Sequence, residues 1–182
     1  MRFMIRNRIW LGYLGLIGIV IGARPTLRSL LVGAPCLLLG GVVRVWAAGH
    51  LVRNMRLARR GPYAYTRNPL YLGTALEWLG LGIAGRRHLP LIAAAVWFLL
   101  LYVPSIREEE RFLSDTFGHQ YDIYAAQTPR FLPRRPKTPV QRAGFVLDLV
   151  SANHEHFNLT AAAALYLALW IRAYVSQGGG SV

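Results

Sequence analysis

What most constrains this chain is one repeated alternation: long apolar runs separated by arginine-rich segments. Five such runs occupy residues 9–23, 27–52, 69–85, 89–106 and 157–174. Each is near the ~20 residues that a helix needs to cross a bilayer. Hydrocarbon offers no partners to backbone N–H and C=O groups, so such a run must satisfy them internally, as a helix. The expectation is an all-α integral membrane protein, a single domain over residues 1–182 with about five transmembrane helices. Arg86-Arg87-His88 is a tight link between the third and fourth runs and predicts a helical hairpin. The first run follows Arg2, Arg6 and Arg8, as in a signal peptide. Arg24-Pro25-Thr26-Leu27 lacks a small-x-small cleavage site, however, so the run reads as a retained span.

Charge narrows what the chain meets. Hydrophobic residues make up 54% and charged residues only 16%, below the roughly 25% charged content of soluble domains. The net charge is +13, and Lys137 is the single lysine. A soluble protein this basic would point to nucleic acid. Arginines that flank apolar runs instead meet anionic lipid headgroups and set topology, so no nucleic acid partner is expected. Most positive residues fall in the N-terminus and in residues 53–67 and 107–142; Arg24, Arg28, Arg86, Arg87 and Arg172 fall on the other side. The positive-inside rule then predicts a cytoplasmic N-terminus and cytoplasmic loops at 53–67 and 107–142, in a bacterial-type inner membrane. A lone Cys36 forms neither an internal disulfide nor a metal site and is read as packing. The Gly-rich end, 177–182, is expected to be a disordered tail or an expression remnant.

Two segments carry candidate chemistry. The first is Gly61-Pro62-Tyr63-Ala64-Tyr65-Thr66-Arg67-Asn68-Pro69-Leu70-Tyr71-Leu72-Gly73. Gly-Pro makes a turn, and Asn68 before Pro69 is a helix start, with Asn as N-cap and Pro at the first helical position. This is either a capped membrane helix with a headgroup-level arginine or an anion site, since a helix N-terminus beside Arg67 attracts carboxylate or phosphate. The second is Arg107-Glu108-Glu109-Glu110-Arg111-Phe112-Leu113, in a stretch from 107 to 126 that reads as helical. Ile106, Glu110, Leu113, Phe117, Tyr121 and Tyr124 recur at three- and four-residue intervals, which puts Glu110 on the apolar stripe. Glu109 borders that stripe, while Glu108, Arg111 and Asp115 face away. A buried carboxylate needs a cation or hydrogen-bond donors. Prolines at 129, 133, 136 and 139 then impose an extended connection, and 140–150 suits an interfacial helix.

Together and in this order, these segments resemble the isoprenylcysteine carboxyl methyltransferase and phospholipid methyltransferase families. The shared pattern is Gly61-Pro62-Tyr63 and Arg67-Asn68-Pro69-Leu70-Tyr71-Leu72-Gly73. It continues with Glu109-Glu110-x-x-Leu113, Phe117-Gly118, Tyr121, Tyr124 and Pro129-Arg130-Phe131-Leu132-Pro133. It covers a core of about residues 44–133. The resemblance implies a multispan helical fold with a cytosol-facing cleft for S-adenosylmethionine. Two departures bear on the acceptor more than on the cofactor. The families' common Arg-His-Pro is Arg67-Asn68-Pro69 here, and Ser105 stands where isoprenylcysteine enzymes carry an arginine.

That cofactor presents a carboxylate, an ammonium and a sulfonium. On this reading Arg67, with the helix start at Asn68, Pro69 and Leu70, holds the carboxylate. Glu109 or Glu110 meets the ammonium, and a ring of Tyr63, Tyr65 or Tyr71 faces the sulfonium. Phe131 and Leu132 cover the adenine, and Arg67 and Glu110 are the expected catalytic pair. Methyl transfer requires chiefly positioning and exclusion of water, so no metal is expected. The acceptor is a lipid or lipidated small molecule. The competing readings are a sterol-reductase-like enzyme using NADPH, for which the loops lack a Gly-rich phosphate cradle, and a non-enzymatic membrane scaffold.

Other polar residues carry less. Arg44 sits within a span, is costly in lipid and is expected to face the bundle, for a structural pairing or a functional one. In Asn153-His154-Glu155-His156 the two histidines are poorly spaced for one helix face, with no third ligand in view. Gly40, Gly41, Gly80 and Gly82 suit close helix packing, and Gly49 before His50 leaves room for a cofactor to approach.

Overall fold

The computed structural model describes residues 8–52, 56–136 and 144–178. Arg2, Arg6, Arg53, Lys137, Pro139 and Arg142 lie outside these ranges, as do the start of the expected interfacial helix and residues 179–182. The described residues form α1 (Arg8–Gly22), α2 (Leu27–Ala48), a 3-10 turn (Gly61–Ala64), α3 (Pro69–Ala84) and α4 (His88–Phe117), then α5 (His119–Gln127), α6 (Leu147–Ala152) and α7 (Glu155–Gly178), with no strand among them.

All five apolar runs are helical. Among the described residues, three helices are long and apolar enough to cross a membrane: α2, α4 from Leu91, and α7. The described part of α1 has 15 residues and α3 has 16, short of the ~20 of a full span. Large apolar side chains such as Leu14, Leu31, Leu38, Val42, Leu99 and Leu167 are exposed along these helices, as expected where the surrounding medium is hydrocarbon rather than water.

The bundle is organised around α2 and α3, whose backbones meet at glycines. A Cβ at Gly40 would stand 2.6 Å from the Gly73 carbonyl oxygen, and one at Gly33 would strike the Gly80 carbonyl. Small residues at such a contact let helices approach until dispersion and weak polar contacts hold them. Thr26 and Ser29 form a capping box at the start of α2, and the Ser29 hydroxyl also donates to the Ala84 carbonyl at 2.8 Å. That bond ties the start of α2 to the end of α3. α1 and α4 pack beside this pair through Trp78, Phe98 and Tyr102, and the Trp97 indole donates to the Leu11 carbonyl at 2.9 Å. α7 closes the bundle against α1, α2 and α3.

Three expectations change. The helix through 107–126 is not continuous: Gly118, at φ +50° and ψ −130°, separates α4 from α5. Only glycine adopts that backbone without strain. The interfacial helix differs from 140–150: residues 144–146 are not helical and α6 begins at Leu147. And α7 runs on to Gly178, into the segment expected to be a tail.

Candidate functional site

The turn before α3, the end of α4 and the segment after α5 converge at one end of the bundle. Two backbone bonds hold them together: Arg67 N–H to the Pro129 carbonyl at 2.9 Å, and Arg134 N–H to the Tyr65 carbonyl at 3.0 Å. The Thr66 hydroxyl, buried, adds a bond to the Phe131 carbonyl at 2.9 Å. From below, the Tyr124 hydroxyl donates to the Tyr63 carbonyl at 2.8 Å. Four polar links thus clamp 63–67 against 129–134 and the helix before it, in the place where side chains alone would leave a mobile loop.

Inside the clamp sits Glu110, 7% exposed. The helical periodicity of the sequence places it on the buried stripe, and Glu108, Arg111 and Asp115 are exposed as that phase requires. Asn68 Nδ2 donates to Glu110 Oε1 at 3.1 Å, and Arg130 Nε donates to Oε2 at 2.9 Å. Arg67 Nε stands 3.6 Å from Oε1, too far for a hydrogen bond. Pro69 takes the first position of α3, but the Asn68 side chain makes no capping bond. Its amide instead bridges Glu110 and the Arg130 carbonyl, the latter at 2.9 Å. The capping expectation fails because a cap needs the Asn68 side-chain oxygen turned toward the helix N–H groups, whereas the amide is oriented by its two Nδ2 bonds to the buried carboxylate and the carbonyl.

The other candidate residues surround this centre. Tyr63 is buried, and Leu70 lies in the first turn of α3. The Tyr71 hydroxyl donates to Glu109 Oε2 at 2.8 Å on the open side. Phe131 is partly buried against the bundle core, whereas Leu132 is 75% exposed. Arg130 is a site residue to which the sequence pattern assigns no role, although it lies in the Pro-Arg-Phe-Leu-Pro motif. Tyr121 belongs to the apolar stripe, but the stripe does not reveal its neighbours. Its burial and the Glu110 carboxylate push the Tyr121 hydroxyl above the usual tyrosine range, with Arg67 opposing. Burial does the same, more strongly, at Tyr124.

Two buried polar atoms here have no hydrogen-bond partner: Arg67 Nε and the Tyr121 hydroxyl oxygen. Both lie beside Glu110. An unsatisfied donor on a mostly buried guanidinium costs free energy unless something binds it. A ligand carboxylate suits the Arg67 donor, and the acidic pair Glu109 and Glu110 suits an ammonium. The donor set therefore fits an amino-acid-like moiety.

Gly49 offers no approach for a ligand, because the Phe145 ring occupies the space a side chain there would take. Gly61, at φ +58°, lies against His50.

A second polar centre lies deeper, between α2, α3 and α7. The Arg44 guanidinium binds Glu155 in a two-pronged pair, with Nε–Oε2 at 2.9 Å and a second N–O contact at 2.8 Å. It also donates to the Thr74 hydroxyl and lies 4.0 Å from Glu77, which accepts from Asn158 Nδ2 at 3.0 Å. Arg44 thus makes a structural pairing inside the bundle. Glu155, flanked by the two poorly spaced histidines, is its counter-charge. No group of three or more metal-ligating side chains occurs among the described residues.

Two curated relatives are similar over half of the chain. The cobalt-zinc-cadmium resistance protein CzcN of Cupriavidus metallidurans is 38% identical over 98 residues, 53% of this chain and 45% of that protein. The nickel-cobalt-cadmium resistance protein NccN of Alcaligenes xylosoxydans xylosoxydans is 35% identical over 95 residues, 51% of this chain and 44% of its own length. The chain thus spans just under half of each relative. No solved structure matches. The phospholipid methyltransferase family matches residues 28–120, which hold α2, the site turn, α3, α4 and both glutamates of the site. With half of its length and most of its site inside that match, the chain belongs to the phospholipid methyltransferase family.

Proposed function

We propose that this chain is an S-adenosylmethionine-dependent methyltransferase acting on a lipid or lipid-like acceptor, with its site on the cytoplasmic side of a bacterial-type inner membrane. The observation that carries the reading is the unsatisfied Arg67 donor facing a buried glutamate at the start of α3. Family membership supplies the reaction class. When bound, the cofactor supplies an electrophilic methyl group on a sulfonium.

The chain's own residues do the rest. Arg67 and the start of α3 hold a carboxylate. Glu110 keeps Arg67 and Arg130 aimed inward, and Glu109, fixed by Tyr71, offers a second carboxylate on the open side. Phe131 and Leu132 form the apolar lip. The clamp between 63–67 and 129–134 limits water, which displacement at a methyl carbon requires more than it requires acid–base help. The relatives' names speak of cobalt, zinc, cadmium and nickel resistance. For this chain that agrees with a change made to the membrane rather than with metal capture, since no group of three or more metal-ligating side chains occurs among the described residues.

The test is calorimetric titration of S-adenosylhomocysteine against the purified protein, in parallel with NADPH. Saturable binding of the first supports the proposal. Binding of NADPH alone would move the chain to the sterol-reductase-like reading, and binding of neither to a scaffold. Incubating membranes with labelled S-adenosylmethionine then identifies the acceptor. For orientation, a cysteine at Arg135, with Cys36 replaced, should be labelled only from the cytoplasmic side, and one at His88 only from outside.

A further inference from the structure

The end of the bundle opposite the candidate site carries five arginines: Arg24, Arg28, Arg86, Arg87 and Arg172. Not one of the chain's eight Asp and Glu side chains is there. Seven of them belong to the site end or to α6 and the start of α7, and Glu77 lies in the middle of α3, bound to Asn158. Five cations with no acidic side chain among them call for anions from outside.

Three of these arginines are gathered rather than spread. Arg24 from the α1–α2 turn, Arg86 from the α3–α4 turn and Arg172 from α7 line one open cavity of about 690 Å³. Among the described residues none of them is paired with a carboxylate; Arg172 donates one terminal guanidinium N–H to the Ala23 carbonyl at 3.1 Å, which holds its head at the cavity and leaves its other donors available. Buried Ala23 forms the floor, and Ile171 and Val175, more than half exposed, form an apolar flank. Arg86 also has φ +56°, a left-handed backbone that glycine adopts freely and arginine does not. Arginines that merely anchor helices at a headgroup layer extend outward separately. Here arginines from three distant segments line one cavity, one of them at a strained position.

We propose that this cavity is a phosphate-binding site. Its guanidinium set matches phosphate oxygens, and its apolar flank suits a phosphate that carries acyl chains, that of an anionic phospholipid in the leaflet away from the candidate cofactor site. Basic pockets between membrane helices take such headgroups. The site is independent of the methyltransferase reading.

Native mass spectrometry and thermal melts of the full chain in neutral detergent test it, with phosphatidylglycerol, phosphatidylcholine and inorganic phosphate as probes. The expected result is phosphatidylglycerol binding at least tenfold tighter than phosphatidylcholine binding, with a raised melting temperature. Arg172→Gln and Arg86→Gly should each reduce that affinity about tenfold. Arg86→Gly relieves the strained backbone, so it should melt no lower than wild type without lipid, which separates lost binding from lost folding. Stabilisation by inorganic phosphate, lost in the same variants, would assign the same site to a free phosphate ligand. Equal retention of both lipids with no phosphate effect, or unchanged anion binding in both variants, would overturn the proposal. S-adenosylhomocysteine binding should be unaffected by either substitution, which keeps failure here distinct from failure of the proposed activity.

Discussion

Replacing Glu110 by glutamine removes one charge and almost no volume from the clamp. The bond from Asn68 survives, since a glutamine oxygen still accepts it. The bond from Arg130 weakens, but that side chain is 55% exposed, so its loss stands near the 0–1 kcal/mol of surface pairs, roughly. The greater loss falls on Arg67, 14% exposed and 3.6 Å from the carboxylate. Depriving a mostly buried charge of its partner costs about 1.5–3 kcal/mol. The two losses together come to about 1.5–4 kcal/mol, or a fall in melting temperature of roughly 3–16 °C for a chain of this size. If the same carboxylate orients Arg67 or meets an ammonium, affinity for S-adenosylhomocysteine falls with it, by roughly 10- to 100-fold. Glu108→Gln, on the exposed face of the same helix turn, is the matched control and should change neither quantity. Melts in detergent and calorimetric titration of both variants measure the two effects separately. A Glu110→Gln protein with wild-type melting and affinity, or equal losses in Glu108→Gln, would refute the assignment.

Arg67→Lys should weaken S-adenosylhomocysteine binding about tenfold with little change in unliganded melting, because a lysine keeps the charge but not the planar fork; calorimetry with a parallel melt checks it. Asn68→Asp should destabilise as well as weaken binding, since it deletes the donor to Glu110 and sets two carboxylates side by side; a melting temperature equal to wild type would show that the amide bridge contributes nothing. Arg44→Met should cost about 3–5 kcal/mol by leaving Glu155 buried without its partner, and adding Glu155→Met should recover most of that; denaturation of the single and double variants decides. The raised Tyr121 hydroxyl makes stability pH-dependent: the folded chain keeps a proton that the unfolded chain loses near pH 10. This contribution is therefore full below about pH 10 and declines as pH rises through it, and Tyr121→Phe should flatten the alkaline limb of a melting profile.

The helices are legible in the sequence because hydrocarbon leaves an apolar run one option, and Glu110 is legible because its phase on α4 is a local property. The clamp is not. Arg130 reaches Glu110 only because Gly118 breaks the helix and the chain then doubles back along 63–67. Both are tertiary events, and the left-handed glycine is hidden inside a pattern that reads as uninterrupted helix. The Arg44–Glu155 pair joins residues 111 positions apart, a distance over which neither periodicity nor motif carries information. Asn68 shows the opposite failure: a strong local preference for capping gives way to a partner that only the folded bundle supplies.

The backbone bonds between 65–67 and 129–134 have a consequence for how the protein is made. The helices through α4 are made before Thr128 is, and α2 and α4 are each long and apolar enough to insert on their own hydropathy. Arg67, Asn68 and Glu110 are then already in the membrane-anchored part of the chain, yet the site is incomplete until the later segment returns to close over them. Insertion and site assembly are therefore separate events in time. A chain truncated after Gln127 should be integrated in the bilayer with its bundle partly formed, while Glu110 has no Arg130 to bind and the cleft stands open to water.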